Sequence, residues 1–487
     1  MEWNWITVAG VLSYVIGILA LFVIPANRKP GEATAWLLLI FLAPILGAIL
    51  FLLLGSPKLS QWRRSQQRAM NERIKYLAEE AEQVPVLRPI VGPPLPSRYE
   101  PLTRLISRLS GMPVMAGNTV ELLTDYVGAV DRIVEDIENA QHYVHLEYFM
   151  FANDKIGAPV IDALVRAQER GIPCRVLIDH LGNMGYHRAV QKRLRAAGIA
   201  LRHILPIKPF DNQWNRADLR NHRKIVVVDG TVGYTGSHNL IEDTYHKRGN
   251  IRKGIHYIEL VARVTGPVVS ELNAAFVTDW YSETEELLDA STAPETRVRM
   301  LTTGDVLCQV LPSGPAYELN NNLMLFVELL HTARSKITIA NPYVVPDDTL
   351  LLALTSAAQR GVEVTLIVSE TGDQFLVYHA QSSYYEELLK AGVQIFMYRS
   401  PVILHSKYLI IDDDIAVIGS SNMDIRSFEL NLEVSLVCYD TQVAADLQQI
   451  TAKYLQRSRQ LHLEEWQARP LWAKLFDNVA RLTSALQ

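Results

Sequence analysis

Two long apolar runs open the chain. Ile6 to Ile24 contains no charge and Ala35 to Leu54 forms a second stretch, each long enough to cross a hydrocarbon core about 30 Å thick at about 1.5 Å per residue. Met1-Glu2-Trp3-Asn4-Trp5 supplies no basic leader, and no small-residue cleavage site follows the first run, which disfavours a cleaved signal peptide. The pattern predicts a two-helix transmembrane hairpin over residues 1–57, connected through Pro25 to Thr34 and kinked at Pro44. Lys58, Arg63, Arg64, Arg68, Arg73 and Lys75 follow the second run, whereas the connection carries Arg28 and Lys29. By the positive-inside rule both termini, and everything after the hairpin, are expected on the cytoplasmic side of a multi-pass membrane protein. Residues 58–111 read as a basic juxtamembrane linker that draws the following domain toward anionic headgroups of the bilayer.

From about residue 112 the pattern becomes an alternation of short β-branched runs and amphipathic helices, the signature of an α/β fold. Val144 to Phe151, Cys174 to Asp179, Ile225 to Asp229 and Val232 to Thr235 read as strands, with helices at Ile161 to Gln168 and Val190 to Ala197. The order then recurs. Ala167-Gln168-Glu169-Arg170-Gly171-Ile172 is answered by Ala358-Gln359-Arg360-Gly361-Val362, and Ala196-Ala197-Gly198-Ile199 by Lys390-Ala391-Gly392-Val393. A repeat near 180 residues is too long for a solenoid and predicts two homologous domains, 112–295 and 296–487. At the end of the second, Leu471, Trp472, Leu475, Phe476, Val479 and Leu482 follow Pro470 at helical spacing. This amphipathic helix either packs on the second domain or lies on a membrane surface with Lys474 and Arg481 flanking it.

Composition narrows the classes. The 49% hydrophobic content supports a substantial core, and 47 basic against 52 acidic residues give a net charge of −5, which removes any strong overall attraction to nucleic acid. Cys174, Cys308 and Cys438 lie in strand-like runs without metal-ligand spacing, so neither a disulfide framework nor a structural zinc site is expected.

The two halves share one motif. His222-Arg223-Lys224-Ile225-Val226-Val227-Val228-Asp229 and His405-Ser406-Lys407-Tyr408-Leu409-Ile410-Ile411-Asp412 are both H-x-K-x4-D, and Gly236-Ser237-His238-Asn239 and Gly419-Ser420-Ser421-Asn422 follow at the same separation. Strand alternation puts His222 and Lys224 on one face and Asp229 on the other, where a carboxylate anchors the strand end. A protonated lysine repels a cation and has no lone pair to donate, which disfavours a metal site. Two imidazoles with paired lysines and asparagines suit a phosphate: one histidine acts as nucleophile and the other as general acid. Glu433 and its first-half counterpart Glu259 are the carboxylates expected to orient the imidazoles. Ser237 and Ser420 are candidate substrate contacts, with a turn role as the alternative. The remaining histidines read as structural.

The duplicated H-x-K-x4-D with G-S-x-N downstream resembles the phospholipase D superfamily. The N-terminal apolar pair, Asn221-His222-Arg223-Lys224, Leu404-His405-Ser406-Lys407, Ser313-Gly314-Pro315 and Arg469-Pro470-Leu471-Trp472 are similar, more narrowly, to bacterial cardiolipin synthases. The resemblance implies two mixed-sheet α/β domains about a pseudo-two-fold axis, sharing one site without metal or other cofactor in a bacterial cell membrane. It implies His222, Lys224, Asp229, His405, Lys407 and Asp412 as catalytic positions and Asn239 and Asn422 as phosphate ligands. The nucleophile then falls to His222 and the acid to His405. The implied reaction converts two phosphatidylglycerols into cardiolipin and glycerol through a phosphatidyl-histidine. A membrane-anchored phospholipase D hydrolase or another phosphatidyltransferase would use the same residues. A nuclease would profit from a basic groove, and a catalytically dead membrane scaffold has no need of both histidines.

Overall fold

The computed structural model describes residues 5–26, 28–207, 216–288 and 301–484. The expected domain boundary at 295/296 lies outside them. Two compact units result, Met1–Leu59 and Ser60–Gln487.

In the first unit, Trp5–Val23 is one helix, but the second apolar run is not a single kinked span. It divides into Pro30–Leu42 and Pro44–Leu54. Pro44 has no N–H to continue the first helix and instead starts a new one, as proline at a first-turn position does. The pieces fold back on each other. A Cβ on Gly47 would stand 2.8 Å from the Ile40 Cα, the Trp36 and Phe51 rings meet edge-on at 5.4 Å, and the Arg28 guanidinium reaches the Gly55 carbonyl. At about 1.5 Å per residue the arms are about 20 Å and about 16 Å long, short of a hydrocarbon core. Among the described residues no helix is long and apolar enough to cross a membrane.

The second unit is built on one mixed sheet of sixteen strands among the described residues. Its centre is the antiparallel pairing of Met115–Leu123 with Val306–Ser313. Outward from Met115–Leu123 come Val261–Thr265, Val232–Gly236, Lys224–Val228, Val144–Tyr148, Cys174–Asp179 and Ala200–Ile204. Outward from Val306–Ser313 come Asn431–Tyr439, Ile415–Gly419, Tyr408–Ile411, Lys336–Ala340, Glu363–Ser369 and Gln394–Tyr398, with Ser458–Leu461 at the edge. The same order on both sides of the centre is the repeat seen in the sequence. Each half keeps three parallel strands joined by crossover helices, and the middle strand of each three is buried along most of both faces. Val176, Leu177 and Ile178 illustrate it: all three consecutive side chains are buried.

Residues 58–111, expected as a linker, are folded into this body. The helix Gln61–Gln83 buries Arg63, which forms a two-pronged ion pair with Glu283 at 2.7 and 3.0 Å. The helix Glu100–Ser110 sends Leu102 and Ile106 into the core of the second half. Part of the basic stretch is therefore held by protein carboxylates.

The C-terminal helix Leu471–Arg481 presents its faces in an unusual sense. Its inner side is polar: buried Asp477 is held by His379 at 2.7 Å and Arg469 at 2.8 Å. The apolar positions face outward, with Leu471 78%, Trp472 72% and Leu482 83% exposed. Phe375 and Leu376, on the helix Phe375–Ala391 against which it packs, extend this exposed apolar surface.

Candidate active site

Neither motif histidine sits inside a strand, as alternation had suggested. His222 occupies the break between Arg220–Asn221 and Lys224–Val228, and His405 the break between Val402–Leu404 and Tyr408–Ile411. Arg220–Asn221 pairs in parallel with Asn431–Leu432 of the other half, and the His222 N–H donates to the Leu432 carbonyl at 2.8 Å. Val402–Leu404 pairs in parallel with His256–Ile258, and the His405 N–H donates to the Ile258 carbonyl at 2.9 Å. Each histidine is thereby laid against the other half's chain.

The carboxylates consequently cross over. His222 Nδ1 lies 3.0 Å from both Glu433 oxygens, and His405 Nδ1 lies 2.8 and 2.9 Å from those of Glu259. Reading each glutamate beside the histidine of its own half identifies the residues but assigns them the wrong partners. A carboxylate fixes the proton on Nδ1 and leaves Nε2 for the cavity both rings line. Further contacts hold the acids. The Ser420 hydroxyl donates to Glu433, while Glu259 accepts from Tyr245, whose oxygen accepts from Asn239 at 3.0 Å. Arg223 fastens the crossing: its Nε donates to the Glu433 carbonyl at 3.0 Å while its guanidinium pairs with buried Asp279.

Burial dominates the electrostatics. It lowers His222 to about 4 against the pull of Glu433, and it lowers His405 against that of Glu259. Burial also lowers Lys224 to about 7 and Lys407 to about 8, with glutamates opposing in both cases. Burial alone would raise the Glu259 carboxyl, but the adjoining His405 brings it to about 2. Lys224 Nζ donates to the His222 carbonyl at 2.6 Å and Lys407 Nζ to that of His405 at 2.7 Å. The glutamates thus favour the charged imidazoles that burial opposes, and a bound phosphate would favour the charge of the two lysines behind them.

The cavity, about 310 Å³, is lined by both histidines together with Asn239 and Asn422. Lys224, Lys407, Asp229 and Asp412 are not among its lining residues. Asp229 accepts from the backbone N–H groups of Gln141, His142 and Tyr143 at 2.7–2.9 Å, and Asp412 from those of Arg334, Ser335 and Lys336 at 2.8–2.9 Å. Both aspartates sit at positive φ, 54° and 49°, just past their strands. Ser237 is not a lining residue and ties two neighbouring strand ends together, exchanging hydrogen bonds with Leu260 N–H and C=O. Asp229→Asn is expected to strand at least one of three backbone donors, at about 1–3 kcal/mol. Denaturant unfolding should show that loss of stability, while turnover per folded molecule stays within about tenfold of the parent; a stable but inert variant would place the carboxylate in the chemistry.

Several lining residues escaped the sequence reading: Phe149, Tyr257, Tyr343 and Asp373, besides Arg220 and Arg426. Phe149 stands edge-on to His222 at 5.2 Å, and Tyr257 to His405 at 5.4 Å. Asp373 gathers Tyr257 at 2.6 Å, Tyr343 and Lys247 at 2.5 Å. No local spacing links these residues, since distant crossovers bring them together.

Comparison with known proteins agrees with this geometry. A family model described as "Cardiolipin synthase, PLD-like domain" matches residues 133–280 and 326–455, once in each half, and a "Phospholipase_D-nuclease N-terminal" model matches residues 15–56. Cardiolipin synthase A of Proteus mirabilis is 31% identical over 99% of this chain and 96% of its own length, and that of Yersinia pseudotuberculosis is 32% identical over 99% and 98%. Among solved structures, phosphatidylserine synthase of Haemophilus influenzae superposes with a TM-score of 0.59 at 16% identity, covering 80% of this chain and all of that one, which shows a shared fold.

Proposed function

The chain belongs to the phospholipase D-like cardiolipin synthase family, and from that premise we infer that it is a phosphatidyltransferase joining two phosphatidylglycerols into cardiolipin with release of glycerol. The observation that carries this reading is the pair of histidines on one cavity, each on a carboxylate from the opposite half. In this reading His222 Nε2 attacks the phosphorus of the first lipid. A P–N bond forms, the bond to the headgroup glycerol breaks, and protonated His405 gives its proton to the leaving oxygen. The second lipid's glycerol hydroxyl then passes its proton back to His405 while its oxygen displaces His222 from phosphorus. Lys224, Lys407, Asn239 and Asn422 hold the phosphoryl oxygens through both steps. Purified protein incubated with labelled phosphatidylglycerol in micelles tests the proposal. Cardiolipin and glycerol are the expected products; phosphatidic acid in their place would make the protein a hydrolase.

The bilayer is the second part of this reading. The N-terminal unit carries a dense set of exposed apolar side chains, among them Leu12, Leu19, Phe22, Phe41 and Leu52, a composition suited to lipid contact. The basic residues after Leu54 favour the cytoplasmic leaflet of a bacterial cell membrane for the catalytic unit. The outward apolar face of Leu471–Arg481 suits the same environment, and it adjoins the cavity: Gln374 and Val377 line the site while Phe375 and Leu376 between them are exposed. The double substitution Leu475→Glu with Val479→Glu is expected to lower turnover on vesicles at least tenfold more than on detergent-dispersed lipid. Equal losses would assign the face a role other than lipid contact.

A further inference from the structure

The cavity has two ends that differ in charge, although the halves that build it are homologous. At one end Lys247 is neutralised by Asp373, whose carboxylate also accepts from Tyr257 and Tyr343. At the other end two guanidiniums, Arg220 and Arg426, line the wall close enough to feel each other's charge. Their hydrogen bonds go to different partners. Buried Arg220 is matched by Asp179 at 3.4 Å, and that carboxylate also accepts from Gly182 N–H at 2.7 Å and Asn221 N–H at 2.9 Å. Arg426 donates to the neutral Asp218 carbonyl at 2.7 Å, and the Asp218 carboxylate is held by Arg216, whose Nε stands at 2.8 Å. Asp424 is buried and accepts from the Ser427 N–H at 2.7 Å, and burial pushes its carboxyl up to about 6. Beside these arginines the Oδ1 atoms of Asn422 and Asn431 are buried acceptors with no hydrogen-bond partner, on residues only 8% and 6% exposed that both line the cavity.

This end of the cavity therefore offers a guanidinium hydrogen-bonded to a neutral carbonyl, beside two acceptors waiting for donors. The product of the proposed reaction carries two phosphates joined by a glycerol. The phosphate that reacts is served by the histidines and lysines, but the acceptor's own phosphate stays intact through both steps and enters a largely buried pocket as an anion, where an uncompensated charge is costly. We propose that Arg426, supported by Arg220, is the subsite for that second phosphate, with Asn422 and Asn431 receiving the hydroxyls of the glycerol between the two. Arginine suits the task, since its planar fork binds phosphate oxygens in pairs and keeps its charge. The subsite selects acceptors that bear an anion one glycerol away from the attacking hydroxyl, and it makes the two ends of a pseudo-symmetric site unequal.

The inference rests on the phosphatidyltransferase reading, and its test uses two soluble acceptors to keep the two apart. Glycerol and glycerol 3-phosphate present the same primary hydroxyl, and only the second carries the distal phosphate. With phosphatidylglycerol in micelles as donor, the wild-type protein is expected to use glycerol 3-phosphate at least tenfold better in kcat/KM. Arg426→Gln keeps a donor for the Asp218 carbonyl but drops the charge, and it is expected to erase at least tenfold of that ratio. Because the ratio is taken within one protein, a smaller folded fraction cancels. A wild-type protein indifferent to the phosphate, or a variant retaining the full preference, overturns the subsite. Failure of the underlying reading shows separately, as wild-type protein that converts phosphatidylglycerol only to phosphatidic acid with either acceptor present.

Discussion

Replacing His222 with alanine is expected to abolish turnover, and replacing His405 to reduce it by at least the 10²–10⁴-fold that general acid–base assistance is typically worth. The inequality follows from the proposed division of labour. Without His222 no imidazole stands on Glu433, so the covalent route has no nucleophile, and His405 is tied through Nδ1 to Glu259 at 2.8 Å. Without His405 the nucleophile persists, and a donor whose leaving group departs without a proton should still load it. Denaturing the His405→Ala protein after such a reaction and mapping the acid-labile phosphoryl group should find it on His222. Recovery of label on residue 405 of the parent protein would reverse the roles, and either alanine variant turning over near the parental rate would overturn the shared site.

The crossed carboxylates give the second large effect. Glu433→Gln removes the counter-charge beside His222, where positive charge develops as the P–N bond forms, and should slow that step by on the order of 10²–10⁴-fold. Glu259→Gln acts on the proton donor instead. In rapid-quench experiments with a good leaving group, which needs no proton, Glu259→Gln should form the phosphoryl-enzyme at close to the parental rate while Glu433→Gln does not. In slow multiple turnover both variants should be impaired. The opposite pattern in the quench would mean that each glutamate serves the histidine of its own half, against the distances of 3.0 Å for His222 to Glu433 and 2.8 Å for His405 to Glu259.

Much of this was written locally in the chain. Hydrophobic period separates an apolar N-terminus from an α/β body, and the recurrence of helix, Gly turn and strand at Gly171 and Gly361 announces the duplicated halves. The H-x-K-x4-D pair singles out His222 and His405 because two copies of a short pattern with G-S-x-N behind each do not arise by accident. The anchoring role expected of Asp229 matches the backbone donors it reaches, but the residue sits past its strand at positive φ, where side-chain alternation no longer applies.

What tertiary structure decided are the relations between distant segments. Pro44 is visible in the sequence, but whether it bends a helix or starts another depends on what the freed ends pack against, and here Ile40 closes on Gly47. The apolar stripe of Leu471–Arg481 suits either a packed or a surface helix, and the buried ion pairs of Asp477 hold the polar side inward and leave the stripe outside. The partner of each supporting glutamate is fixed by Arg220–Asn221 pairing with Asn431–Leu432 and by Val402–Leu404 pairing with His256–Ile258. Sequence specifies which side chains a strand offers to each face, because that is a matter of period. Which strand lies alongside is a matter of long-range hydrogen bonding across the pseudo-two-fold axis, and that pairing alone sets Glu433 on His222 and Glu259 on His405.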